Sequence, residues 1–157
     1  MNIKQLLIIC VLFTLGCTPN VGRKFSTTTI KAQDGMSTVV FYRPHQFLGG
    51  LDHRWAINAN GEQVSDQRIT GIGDNTYAVV KLPSGQYNFY ARTGRIDTTE
   101  VINLRPATIH YIKAKQVGYS YWTYIVLSEQ AETAALEELK ELPMQINPED
   151  WAIIYAY

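Results

Sequence analysis

The chain has 157 residues, with 14 Lys and Arg against 14 Asp and Glu, and 46% of its residues are apolar. This ordinary globular composition argues against intrinsic disorder, which needs low hydrophobicity and high net charge. Zero net charge also argues against nucleic acid as a main partner, because phosphate binding needs a surplus of Lys and Arg. The length suits a single domain of roughly 100–150 residues.

Lys4 is the only charge in the first 22 residues, and residues 6–15 (LLIICVLFTL) form an apolar run broken only by Thr14. A basic start, a short apolar stretch and a small residue at its end describe an export signal, since spanning a bilayer takes about 20 residues. The run ends Thr14-Leu15-Gly16-Cys17. That ending resembles the lipobox of bacterial lipoproteins, with Thr14 where that pattern prefers Leu. The resemblance implies cleavage after residue 16, lipid on Cys17 and, with Thr18 in place of an Asp, sorting to the outer membrane. Cys10 and Cys17 are the only cysteines, so the mature chain would hold neither a free thiol nor a disulfide, and loss of Lys4 would leave a net charge of −1. Several acyl chains, at about 0.8 kcal/mol per buried methylene, make such an anchor effectively permanent. Residues 18–36, rich in Thr, Ser, Gly and Lys, read as a flexible tether with an rms reach of roughly 25 Å.

From residue 37 onward, β-rich runs recur every 8–12 residues between turn signals. Residues 37–43 (STVVFYR) end at Pro44, and residues 54–59 (RWAINA) follow. Asn60-Gly61, a strong hairpin signal, would return the chain through an edge strand over 62–67. In 76–82, Ala78, Val80 and Leu82 share one face while Tyr77, Val79 and Lys81 share the other. Leu82-Pro83-Ser84-Gly85 is a turn, and 86–92 alternates Tyr87, Phe89 and Ala91 inward. Strands are also expected over 98–104, 108–115 and 119–127. The pattern predicts an all-β fold, an antiparallel β-sandwich of about 7–8 strands similar to transthyretin or immunoglobulin domains.

One helix is expected after Ser128 as N-cap, ending at Pro143, with Ala131, Ala135, Leu139 and Leu142 packed on the sandwich. The sandwich and its helix occupy residues 37–142. Asn147-Pro148 looks like a second helix start, and the apolar tail 151–157 either docks on the sandwich or meets a partner.

Val40-Phe41-Tyr42-Arg43-Pro44, Phe47, Gly49, then Leu82-Pro83-Ser84-Gly85-Gln86-Tyr87 and the strand around Tyr111 together resemble domain of unknown function 2846, found largely in small bacterial envelope lipoproteins. The likeness spans roughly residues 35–142. Pro106-Ala107 departs from it, where a Gly-containing turn would be expected, so the register of that hairpin is left open. The resemblance implies a β-sandwich and no known activity.

Among chemical candidates, His45, Asp52 and His53 could ligate a metal or serve a hydrolase, with His110 on a distant strand. No metal-type His spacing and no nucleophile elbow accompany them. Gly71-Ile72-Gly73-Asp74 resembles a phosphate loop only superficially, since no helix follows. Arg43 and Phe47, at the start of the loop 43–52, could grip a partner, or could be a surface ion pair and a lid on the core. Trp122 and Tyr124, with Tyr119 and Tyr121, form an aromatic group suited to core packing or to stacking on sugar rings. The sequence therefore leads to a non-catalytic, lipid-anchored envelope module with a protein or glycan partner, no cofactor and no nucleic acid. The alternative is an enzyme using His45, Asp52 and His53.

Overall fold

A computed structural model describes residues 25, 35–46, 55–61, 66–92, 101–118, 124–142 and 144–146. The strands are β1 (Met36–Arg43), β2 (Trp55–Gly61), β3 (Gln67–Ile72), β4 (Thr76–Pro83), β5 (Gly85–Arg92), β6 (Val101–Leu104), β7 (Ile109–Val117), β8 (Tyr124–Gln130) and β9 (Met144–Ile146); one helix, α1 (Glu132–Lys140), lies between β8 and β9. A five-stranded sheet, in the order β8-β7-β1-β4-β9, packs on a four-stranded sheet, in the order β3-β2-β5-β6. The fold is an all-β sandwich with one C-terminal helix. Its pairings are antiparallel except β1 with β7 and β4 with β9.

The sandwich has three layers. Val39, Phe41, Trp55, Phe89, Ile112 and Leu127 belong to the core between the sheets. Val40, Tyr42, Tyr77 and Tyr111 lie on the opposite face of the five-stranded sheet, packed with Ala135, Leu139 and Leu142 from the helical end. A strand buried on both faces needs apolar residues at every position rather than at alternate ones. That requirement explains why β1 reads as the unbroken run VVFY, with all four side chains fully buried. The helical stripe expected from the sequence is present at Ala135, Leu139 and Leu142, while Ala131 is exposed.

Several boundaries differ from expectation. Asn60 and Gly61 do not form a turn: both extend β2 and pair with Asn88 and Tyr87 of β5. A Cβ at Gly61 would lie 2.5 Å from the Gln86 carbonyl oxygen, so close backbone approach, not turn geometry, demands glycine. The strand returning beside β2 is accordingly 67–72 rather than 62–67. Ser128 does not cap the helix but lies within β8, whose ladder with β7 runs on to Gln130, and Ala131 is the N-cap without a side-chain cap bond. The residues around Pro106-Ala107 form a corner between sheets instead of a hairpin, because β6 and β7 belong to different sheets. Ala107 there adopts φ 53°, the left-handed backbone that glycine would favour. The three-residue β9 carries too short a pattern to be expected.

The Leu82–Tyr87 motif is likewise a corner, passing from β4 in one sheet to β5 in the other. Tyr87 donates its phenol hydrogen to the Pro83 carbonyl at 3.0 Å, and its ring stacks on Phe89. Tying a corner back to backbone a few residues upstream is a recurrent use of tyrosine in sandwiches, worth about 1 kcal/mol for the hydrogen bond.

Phe25 lies within the stretch expected to be a tether. Its ring meets Tyr77 edge-on, with centroids 5.2 Å apart, on the helix-bearing face. The body's hold on the chain therefore reaches back to Phe25. Cys17, the segments 1–16 and 147–150, and the tail 151–157 lie outside the described residues. Among the described residues, no helix is long and apolar enough to cross a membrane.

Candidate functional site

The loop that follows β1 is organised by a carboxylate from a distant corner. β3 passes to β4 through Gly73, Asp74 and Asn75, with Asn75 at φ 54°, a conformation Asn tolerates better than most side chains. Thr76 closes the corner: its hydroxyl accepts from the Gly73 N–H at 2.9 Å and donates to the Gly73 carbonyl at 2.8 Å. The closed corner turns Asp74 toward the end of β1. There its carboxylate meets Arg43 Nε at 3.5 Å, accepts from the Gln46 N–H at 3.3 Å, and accepts a hydrogen bond from His45 Nδ1.

Arg43 is not the surface grip its sequence position suggests. It is only 3% exposed, and its guanidinium lies 3.7 Å from the centre of the Trp55 ring. The charge is thus held between an aromatic face and a carboxylate, an arrangement that can offset the cost of burying it. By contrast His45, on the same carboxylate, is 64% exposed. Gln46 Oε1 accepts from the Gln116 N–H at 2.9 Å, which pins the loop to the end of β7. Val117 pairs with Tyr124, so the exposed Tyr124 ring stands at this same end of the sheet. The fold thereby gathers Arg43, His45 and Tyr124 at one end of the molecule. Asp74 and Gln116 hold the loop in place, and no sequence pattern singles out Gln116. The Gly-containing turn at 71–75 is the only signal pointing to Asp74. Phe47, Asp52, His53, Tyr119, Tyr121 and Trp122 lie outside the described residues; among the described residues the carboxylate on His45 is Asp74.

His110 belongs to the opposite end. It pairs with Val39, near the start of β1, whereas His45 lies beyond that strand's last residue. Four residues of strand, about 13 Å, separate Val39 from Arg43, and His45 lies two residues beyond that end. The two histidines therefore do not converge. His110 is 2% exposed; its Nε2 accepts from the Arg105 N–H at 3.1 Å and its Nδ1 faces Glu129 Oε1 at 2.6 Å. The backbone donor on Nε2 fixes the ring hydrogen on Nδ1, where Glu129 receives it. The fully buried Ser37 donates to the Arg105 carbonyl at 2.6 Å. A Ser, a His and a Glu thus gather here, but the hydroxyl and imidazole are both spent on the Arg105 peptide group, which they hold in place between β6 and β7. Among the described residues, no group of three His, Cys, Asp or Glu side chains is placed to hold a metal ion.

No family model matches the chain, and no curated protein or solved structure is significantly similar to it.

Proposed function

We propose that this chain is a lipid-anchored envelope protein, held at the outer membrane through Cys17, whose sandwich is a non-catalytic module for a protein or glycan partner. The observation that carries this reading is the way the polar groups are engaged. Asp74 is shared among Arg43, His45 and the Gln46 amide, and both His110 nitrogens are taken by Arg105 and Glu129. These bonds build rigid ends on the sandwich. His45 and Tyr124 stand exposed at the end shaped by Asp74, where loops meet an incoming surface. The N-terminal Leu-rich run and Cys17 supply the anchor, and the resemblance to envelope lipoproteins of domain of unknown function 2846 agrees with it.

The His45–Asp74 pair favours one competing reading. A carboxylate that orients an exposed imidazole is half of an acid–base apparatus, and a hydrolase or metal-dependent enzyme would add Asp52 and His53 to it. Two experiments test the proposal. Cys17→Ser should release the protein from membranes or block its processing, and retention on membranes at the processed size would overturn the anchor. A photo-crosslinker at position 124 in intact cells should join the chain to one recurrent species, protein or glycan. If it captures nothing above an α1 control position, the end bearing His45 and Tyr124 is not the partner surface.

A further inference from the structure

The outward face of the four-stranded sheet is unusual in composition. Tyr87, Phe89 and Ala91 point into the core, so Gln86, Asn88 and Tyr90 of β5 point outward. Gln86 pairs with Asn103, Asn88 with Val101 on one side and Asn60 on the other, and Tyr90 with Asn58. Asn is depleted in strands because its side chain competes for backbone hydrogen bonds. Thr, Lys or Glu would solvate such a face with less cost to the strands. Yet four of the chain's eight Asn residues lie here, on three adjacent strands. Local preference violated so consistently on one surface marks a place where something other than folding sets the residues.

We propose that this face is a binding site for an uncharged glycan. The five amides carry donors and acceptors side by side and no formal charge, which matches the alternating donor and acceptor character of sugar hydroxyls; the exposed Arg68, opposite Asn58, borders them at the β3 edge. Asn60, Gln86 and Asn103 are exposed, and Val101, 59% exposed, offers an apolar contact beside Asn88 for the C–H face of a sugar ring. Asn88 Oδ1 has no hydrogen-bond partner among the described residues. An unmet acceptor of that kind is costly, and a hydroxyl donor satisfies it after a turn of the amide about its soft terminal torsion. Tyr90 borders the row, its phenol donating to Asp66. The location suits an anchored protein as well. Phe25 docks on the helix-bearing layer, eight residues after Cys17, and the amide face is the outer surface of the opposite layer. Phe25 thus holds the chain that leads back toward Cys17 on the layer opposite the amide face.

The inference adds a site to the envelope-module reading and can fail without it. The test is calorimetric titration of the mature chain with three probes: a neutral N-acetylated oligosaccharide (chitohexaose), a neutral glucan (maltohexaose) and the anionic oligogalacturonate. Binding of a neutral probe, weakened tenfold or more in both Asn60→Ala and Asn103→Ala with unchanged thermal midpoints, is the expected result. Both substitutions are at exposed positions, so loss of fold does not confound them, and Thr133→Ala on the helix should bind as the parent does. If neither neutral probe binds, the proposal is overturned, as it is by tighter binding of the anionic one or by binding indifferent to Asn60 and Asn103. A recurrent species crosslinked from position 124 alongside silent titrations would remove the glycan face and leave the envelope module standing.

Discussion

Ala107 and Gly61 make opposite statements about single residues. Ala107 holds a left-handed φ of 53°, where its Cβ crowds the following carbonyl, and its N–H donates to the Met36 carbonyl at 2.9 Å. The corner between β6 and β7 is therefore kept in spite of its side chain. Ala107→Gly relieves the strain at the expense of a freer unfolded chain, and a net gain of about 0.5–1 kcal/mol is expected in denaturant unfolding. At Gly61 the reverse holds. A methyl group there meets Gln86 backbone and the Tyr87 ring, neither of which can withdraw without moving β5. Gly61→Ala should cost about 1–3 kcal/mol by overpacking, measured as a lower denaturation midpoint. If the Gly61→Ala variant proved as stable as the parent, β2 and β5 would not be pressed together as described.

At the scale of elements, what was legible in the sequence was whatever a short pattern determines. The period-two alternation in 86–92 points Tyr87, Phe89 and Ala91 inward, where they are found, and that in 76–82 puts Val80 and Leu82 on one face, which is the one turned to the same core. The Leu-Pro-Ser-Gly turn fell between two strands as expected. What was not legible depended on partners far along the chain. Asn60-Gly61 has the local chemistry of a hairpin, but β5 offers those residues a ladder and they join it. Ser128 has the chemistry of a cap, but Lys113 of β7 lies opposite it and draws it into β8. Local preference of about 1 kcal/mol is readily outweighed by several cross-strand bonds. The candidate site divides the same way. Arg43 and His45 were visible as polar residues at a strand end, whereas Asp74, 29 residues beyond His45, becomes their partner only through the corner after β3. Arg43 and its neighbour Trp55 could not be paired from spacing at all, so a buried ion held over an aromatic ring looked like a surface charge.

The layered architecture concentrates phenols where water is absent, and that gives the whole molecule a characteristic pH response. Tyr42, Tyr77 and Tyr111 line the face beneath the helix and Tyr87 lies between the sheets. Burial pushes all four phenols above their usual range. Besides burial, the Glu138 carboxylate adds to the rise at Tyr42 and Glu132 to that at Tyr111. Glu138 also receives Lys113 Nζ, so the α1 surface contributes both a lid and a negative charge above the sheet. The sign follows from linkage: the folded chain keeps these protons at pH values where the unfolded chain has begun to release them. Their contribution to stability is complete below about pH 10, the unfolded phenol value, and is lost as pH rises toward the folded values. Each phenol ionised only in the unfolded state steepens the fall by up to about 1.4 kcal/mol per pH unit, and the four act in the same direction. Urea midpoints should therefore hold between about pH 8 and 9 as far as the tyrosines are concerned, then drop steeply above about pH 10. Tyrosinate absorbance recorded beside far-ultraviolet dichroism tests this: the buried four should ionise only as the strand signal collapses. Were all ten tyrosines to titrate together around the unperturbed value with the dichroism unchanged, the helix would not be sealing the sheet from water, and the three-layer description of the body would fail.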